Sequence, residues 1–162
     1  MNLVSLVPQG VQVLIRKALE NPTHSLFEVL REFNQRDSYG GYLCLANPQT
    51  GVPYLLLGMG EVWPDKQQKY FEICQEKAIR LASYPDHFSS AQSRCDSEGK
   101  YPGAIRTKDM IFSFSGLPWQ LDETFVLLLA MSLECLDMQT AQKISKISKN
   151  AVFSTVAEAI LL

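Results

Sequence analysis

The chain has no concentrated block of positive charge. Its 15 Lys and Arg are interspersed with 17 Asp and Glu, for a formal net charge of −2. Phosphate contacts need a dense cationic surface, so this balance argues against nucleic-acid binding. It is also too mildly acidic to single out a cationic partner. Long hydrophobic runs are missing as well. The longest, FVLLLAM at 125–131, falls far short of the roughly 20 residues of a membrane helix. The apolar start is interrupted by Pro8 and Gly10, and Arg16-Lys17 follow its apolar part instead of preceding it, unlike a secretory leader. A soluble, cytoplasmic chain with no membrane partner is the expectation. Cysteine occurs four times, at Cys44, Cys74, Cys95 and Cys135, with no Cys-x-x-Cys pair and no Cys/His spacing that suits zinc. Three of these lie in apolar patterns and read as buried, reduced thiols. Cys95 lies in a polar stretch and is the one to suspect of reactivity. No Gly-x-Ser-x-Gly is present, so Ser115 beside Gly116 reads as a helix cap and not as a nucleophile. Internal repeats and low-complexity segments are absent too.

What is present is an ordinary globular balance, 46% apolar and 20% charged over 162 residues, enough for one domain with its own core. Residues 8–20 carry Val11, Leu14, Ile15 and Leu19 on one helical face, and Asn21-Pro22 ends that pattern. Ser25 and Glu28 have the spacing of a capping box, opening a helix that runs to about Asn34. Residues 38–41 read as a turn. Residues 41–46 and 52–58 read as strands of a hairpin, joined by the turn chemistry of Asn47-Pro48-Gln49-Thr50-Gly51. Pro53 places the second strand at an edge or a bulge. Asp65 is a natural N-cap for a helix over 66–83, which Pro85 ends. A polar loop of unusual length follows, at 84–102, and loops of that length tend to be functional or mobile.

Residues 103–133 then read as strand, tight turn, strand, corner and helix. Gly116 supplies an unusual backbone angle and Pro118 suits the first turn of the helix. Asp122 and Glu123 fall where carboxylates complement the helix dipole; being adjacent, they diverge and do not form an acid/base pair. The tail holds two further helical patterns, one with Ile144 and Ile147, the other with Val152, Phe153, Val156, Ala159 and Ile160. The order predicts an α+β fold: a central antiparallel sheet built from two hairpins with flanking helices, a sandwich of profilin-like or roadblock-like type. Residues 1–137 would form the single domain. Residues 138–162 would be a helical extension packed on that domain or on an oligomer partner.

Several segments in order carry a resemblance: Glu76-Lys77-Ala78, His87 with Ser89-Ser90, Gly99-Lys100-Tyr101-Pro102, and Phe114-Ser115-Gly116-Leu117-Pro118 with Asp122-Glu123. In these, residues 66–133 resemble the haem-degrading, GlcG-like family, which includes extracellular haem-binding sensor proteins and the GlcG proteins of glycolate operons. The resemblance covers under half of the chain. The glycine-rich run usual near the second hairpin is reduced here to Gly99 and Gly103, and the tail after Asp137 departs from the pattern. The resemblance implies haem or small-ligand binding and ring-like oligomers.

The candidate ligand-binding residues are His87, Lys77, Arg80, Ser89, Ser90 and Tyr101. His87 could ligate haem iron or titrate near neutrality, against the plainer reading of an exposed loop histidine. His24 reads as part of a helix approach. Lys77 could reach an anion in a pocket; the plainer reading buries its stem and leaves its ammonium in water. Arg80 and Arg106 could bind anions, or form solvated ion pairs. In the tail, Lys143, Lys146 and Lys149 give a faint likeness to helix-turn-helix DNA readers, but the segment lacks the turn glycine and any arginine, so packing or oligomerisation helices are expected. No catalytic or metal-ligating residue is singled out. The expected function is a non-catalytic small-ligand or haem-binding module that self-associates. The alternative is a ligand-free structural scaffold of roadblock-like type.

Overall fold

Two hairpins lie side by side and make one four-stranded antiparallel sheet, with strand order β2-β1-β4-β3. The structure, a computed structural model, describes residues 22–34 and 39–161 together with 9, 10, 12 and 13. The helix expected over 8–20 lies almost wholly outside the described residues. The elements run α1 (Pro22–Arg31), β1 (Tyr39–Ala46), β2 (Pro53–Glu61), α2 (Pro64–Ala82), β3 (Ala104–Arg106), β4 (Ile111–Ser115), α3 (Trp119–Ser132), α4 (Met138–Ser148) and α5 (Val152–Leu161). The α+β sandwich expected from the element order is the fold observed.

Strand alternation sorts the core into two layers. Cys44 and Ala46 of β1 face α2, where they meet Cys74, Ala78 and Leu81. Small side chains there let the helix lie close to the sheet. Leu43 and Leu45 face the other way and join Phe112 and Phe114 of β4 in the larger layer. Phe27 of α1 and Phe125 of α3 close that layer, with the Phe114 and Phe125 rings packed edge-on at 4.9 Å. Ala141 and Ile144 of α4 and Phe153 and Val156 of α5 are buried in this same cluster. The tail helices therefore share the central core.

Local signals explain most element boundaries. Asn47 Oδ1 accepts from the Gln49 and Thr50 N–H groups at 2.8 and 3.1 Å, which closes the first hairpin. Gly116 has φ +152°, and a Cβ there would lie 2.4 Å from the Gly40 carbonyl oxygen. Only glycine allows the corner to cross β1 so closely.

Four expectations are corrected. The helix expected to open at Ser25 opens at Pro22, because proline costs nothing in a first turn. Ser25 therefore sits inside the helix and builds no capping box. Trp63, not Asp65, holds the N-cap position of α2; Pro64 fills the first turn, and Asp65 only complements the dipole. Gly40, expected in a turn, pairs with Gly60 in the β1–β2 ladder, next to Gly41, which was expected to open the strand and pairs with Met59. Ser115 ends β4 and caps no helix; the Leu117 N–H at the corner is met by Asp122 Oδ1 at 2.8 Å.

The 84–102 segment is pinned by two arginines that were expected to pair in solvent. Arg80 donates to the Ser90 and Tyr101 carbonyls at 2.7 and 2.6 Å, to Ser93 Oγ and to Glu76. Arg106 donates to the carbonyls of Pro48, Leu81 and His87 at 2.7, 2.6 and 3.0 Å. Buried carbonyls at the loop ends need donors, and a guanidinium carries five. Among the described residues no helix is long and apolar enough to cross a membrane.

Candidate functional site

The packing of α2 against the β4–α3 corner leaves a cleft of about 320 Å³. One stripe of α2 supplies its first wall, at the i, i+4, i+8 positions Lys69, Ile73 and Lys77 with Tyr70 beside them. The 84–102 segment supplies the second, with Arg94, Asp96 and Tyr101. The corner supplies the floor, with Ser115, Gly116 and Asp122, and Trp119 stands at the side. Arg94 lies over the Trp119 ring at 5.3 Å, a cation–π arrangement. Its guanidinium also grips Asp96 at 2.7 and 2.9 Å, and this bond holds the Asp96 carboxyl below the usual carboxylate range.

Lys77 corrects the expectation that its ammonium reaches water. The residue is 1% exposed, and its Nζ donates to the Phe114 carbonyl at 2.7 Å and to Asp122 Oδ2 at 3.1 Å. Gly103 makes room for it, since a Cβ there would lie 2.6 Å from Nζ. Asp122, expected as a surface charge on the helix dipole, is 3% exposed. It joins α2 to the corner by taking the ammonium on one oxygen and the Leu117 N–H on the other.

Glu123 is the second correction. It is fully buried on the other side of α3. Its carboxyl accepts from Ser89 Oγ at 2.6 Å, from Ser148 Oγ, and from Asn150 Nδ2 at 3.2 Å. Burial pushes its pKa above the ordinary glutamate value, and these three hydrogen bonds and the charge of Lys77 oppose the shift. One signal for both burials was legible: nearly every α3 position from Leu121 to Ala130 is buried, as its all-round apolar sequence suggests. Carboxylates in the opening turns of such a helix are buried with it.

The expected ligand-binding residues fall into three groups. Lys77 and Tyr101 line the cleft. Arg80, Ser89 and Ser90 are buried and work within the protein. Ser89 spans Glu123 and the Ala91 N–H, and Ser90 Oγ accepts from the Ala104 N–H at 3.0 Å. His87 stands apart. Its ring stacks on Tyr84 at 4.7 Å, and its Nδ1 is buried without a hydrogen-bond partner. It lines neither the cleft nor the groove of about 530 Å³ that runs along α2 past Ile79 and Tyr84. A haem axial bond needs a slot for the macrocycle beside the histidine; neither cavity offers one to His87. Sequence reasoning did not single out Lys69, Arg94, Ser115, Trp119 or Asp122 as parts of one site.

Cys44 and Cys74 are buried, and burial raises both thiols, Cys74 to about 12. Cys135, expected to be buried, is half-buried, as is Cys95, whose Sγ lies 3.3 Å from Ser97 Oγ. Among the described residues no three His, Cys, Asp or Glu side chains gather into a metal-binding group. No family model matches the sequence, and comparisons with curated proteins and with solved structures likewise return no match.

Proposed function

We propose that the chain is a non-catalytic module that binds a small molecule in the cleft between α2 and the β4–α3 corner, and that it self-associates. One observation carries the binding reading: the Lys77–Asp122 pair is buried at the floor of a cleft and not deep in the apolar core. A buried ion pair adds little net stability, so its position there is better accounted for by recognition. The volume, about 320 Å³, falls at the lower end of small-molecule sites. Segments that resemble the GlcG-like family but lie far apart in the chain meet here, through Lys77, Tyr101, Gly116 and Asp122. His87 lies outside, so the reading does not pass through a haem–His87 bond. Cysteines that read as reduced thiols suit the reducing cytoplasm.

Self-association is supported by β2. Among the sheet strands only β1 pairs with it, and from Pro53 to Gly60 it carries no charge. An uncharged edge of this length is a template for a second chain. Sedimentation at micromolar concentration should give a species above 18.2 kDa, and a pure monomer rejects self-association. The binding reading is tested by NMR screening of a broad small-molecule library against the folded chain. Amide shifts grouped on residues 69–77, 94–101 and 115–122 are expected. A library that moves none of them favours the ligand-free scaffold.

A further inference from the structure

We propose that the cleft selects a small carboxylate with a flat body, its carboxylate seated between Lys77 and Ser115. This rests on the cleft being a binding site and names the ligand class. The donors and acceptors of the cleft are unequal. Asp122 spends one oxygen on Lys77 and the other on the Leu117 N–H. Asp96 spends both oxygens on Arg94. Each carboxylate is thus already paired with a cation of the chain.

The donors are not used up. An ammonium carries three N–H bonds, and Lys77 directs two of them to the Phe114 carbonyl and Asp122. The third has no acceptor among the described residues. Ser115 follows Phe114 directly, is 4% exposed, and lines the same floor; its hydroxyl makes no hydrogen bond among the described residues. Two donors that line one cleft, each with an N–H or O–H to spare, match the two oxygens of a carboxylate. Lys69, at the opposite end of the stripe, forms no ion pair among the described residues, so three lining cations face two carboxylates and leave one positive charge in excess. The aromatic side chains of Trp119 and Tyr101 line the same cleft and suit a planar body.

Trp119 is also the reporter. In a Trp63→Phe background it is the only tryptophan, because the chain has two. Its fluorescence is followed during titration with benzoate, its neutral isostere benzamide, and the cation benzamidine. Benzoate should quench it saturably, benzamide should bind at least about ten-fold more weakly, and benzamidine should give no response. A charge-assisted hydrogen bond is of that size. Ser115→Ala removes a hydroxyl without unpairing Lys77 or Asp122, so it folds where Lys77→Met does not have to. It should weaken benzoate about ten-fold. Equal affinity for benzoate and benzamide, tighter binding of benzamidine, or an unaltered benzoate affinity in Ser115→Ala each overturns the assignment. So does a lack of response to benzoate. In each case the library screen still decides separately whether the cleft binds other small molecules.

Discussion

Asp122 and Glu123 are neighbours on α3, both buried, and they meet opposite chemistry. Asp122 faces the Lys77 ammonium at the floor of the cleft. Glu123, pointing a hundred-odd degrees away around the helix, faces two hydroxyls and an amide. The first joins α2 to the corner. The second joins α3 to the 84–102 segment through Ser89 and to the tail through Ser148 and Asn150. The difference shows two ways of burying a carboxylate. A lysine meets charge with charge and keeps one N–H beyond its two partners. Neutral donors satisfy the oxygens but not the charge, so the carboxyl resists ionisation and serves only the interior.

The comparison breaks most visibly at the pair. Lys77→Met strands Asp122 as a buried charge and should cost about 3–5 kcal/mol in urea unfolding. Adding Asp122→Asn should recover part of that loss. A single-variant loss under about 1 kcal/mol would mean that the pair behaves as if exposed. Next comes the corner that holds Asp122 in place. Gly116→Val puts a branched side chain where even a Cβ would lie 2.4 Å from the Gly40 carbonyl. A cost of roughly 2–4 kcal/mol is expected, from strain and overpacking together. The denaturation midpoint should fall at constant slope, and an unmoved midpoint contradicts the positive φ.

The Glu123 side is sharpened by pH. Burial lifts the folded carboxyl above the value of about 4.3 that an unfolded glutamate has. Between those two values the folded chain holds a proton that the unfolded chain has released. This stabilisation is complete below the unfolded pKa and is lost as pH rises through the folded one. Glu123→Gln does not titrate, so its stability should improve relative to the parent from pH 4 to pH 8. Parallel urea midpoints at pH 4, 6 and 8 measure this, and a constant offset between the two proteins sinks the idea. The smallest effect is Ser148→Ala, about 1 kcal/mol for one neutral donor among three. A loss as large as that of Lys77→Met would erase the distinction between the two carboxylates.

Much of the fold was legible because its signals are local. The Asn47–Gly51 turn lies between two alternating runs, and the Gly116–Pro118 corner stands between a strand and an apolar helix. Both are decided by the backbone within a few residues. The boundaries that moved, at Pro22 and Asp65, are first-turn positions where proline and a side-chain cap are competing ways to begin a helix. The site was far less legible. Lys77 and Tyr101 were named, but Ser115 was read as a cap and Asp122 as a dipole charge. Their partners are remote: 45 residues separate Lys77 from Asp122, and 34 and 25 separate Glu123 from Ser89 and Ser148.

The amino-acid order by itself determined two hairpins, their connecting turns, the glycine at the corner and the apolar faces that hold helices against a sheet. Each follows from periodicity or from the steric limits of a short stretch of backbone. Only the tertiary structure decided which charges are buried and what they meet. It put an ammonium against one carboxylate and hydroxyls against its neighbour, and it drew Arg80 and Arg106 in to hold a loop. The physical reason is that the cost of burying a charge depends on whatever the rest of the chain brings within hydrogen-bond distance.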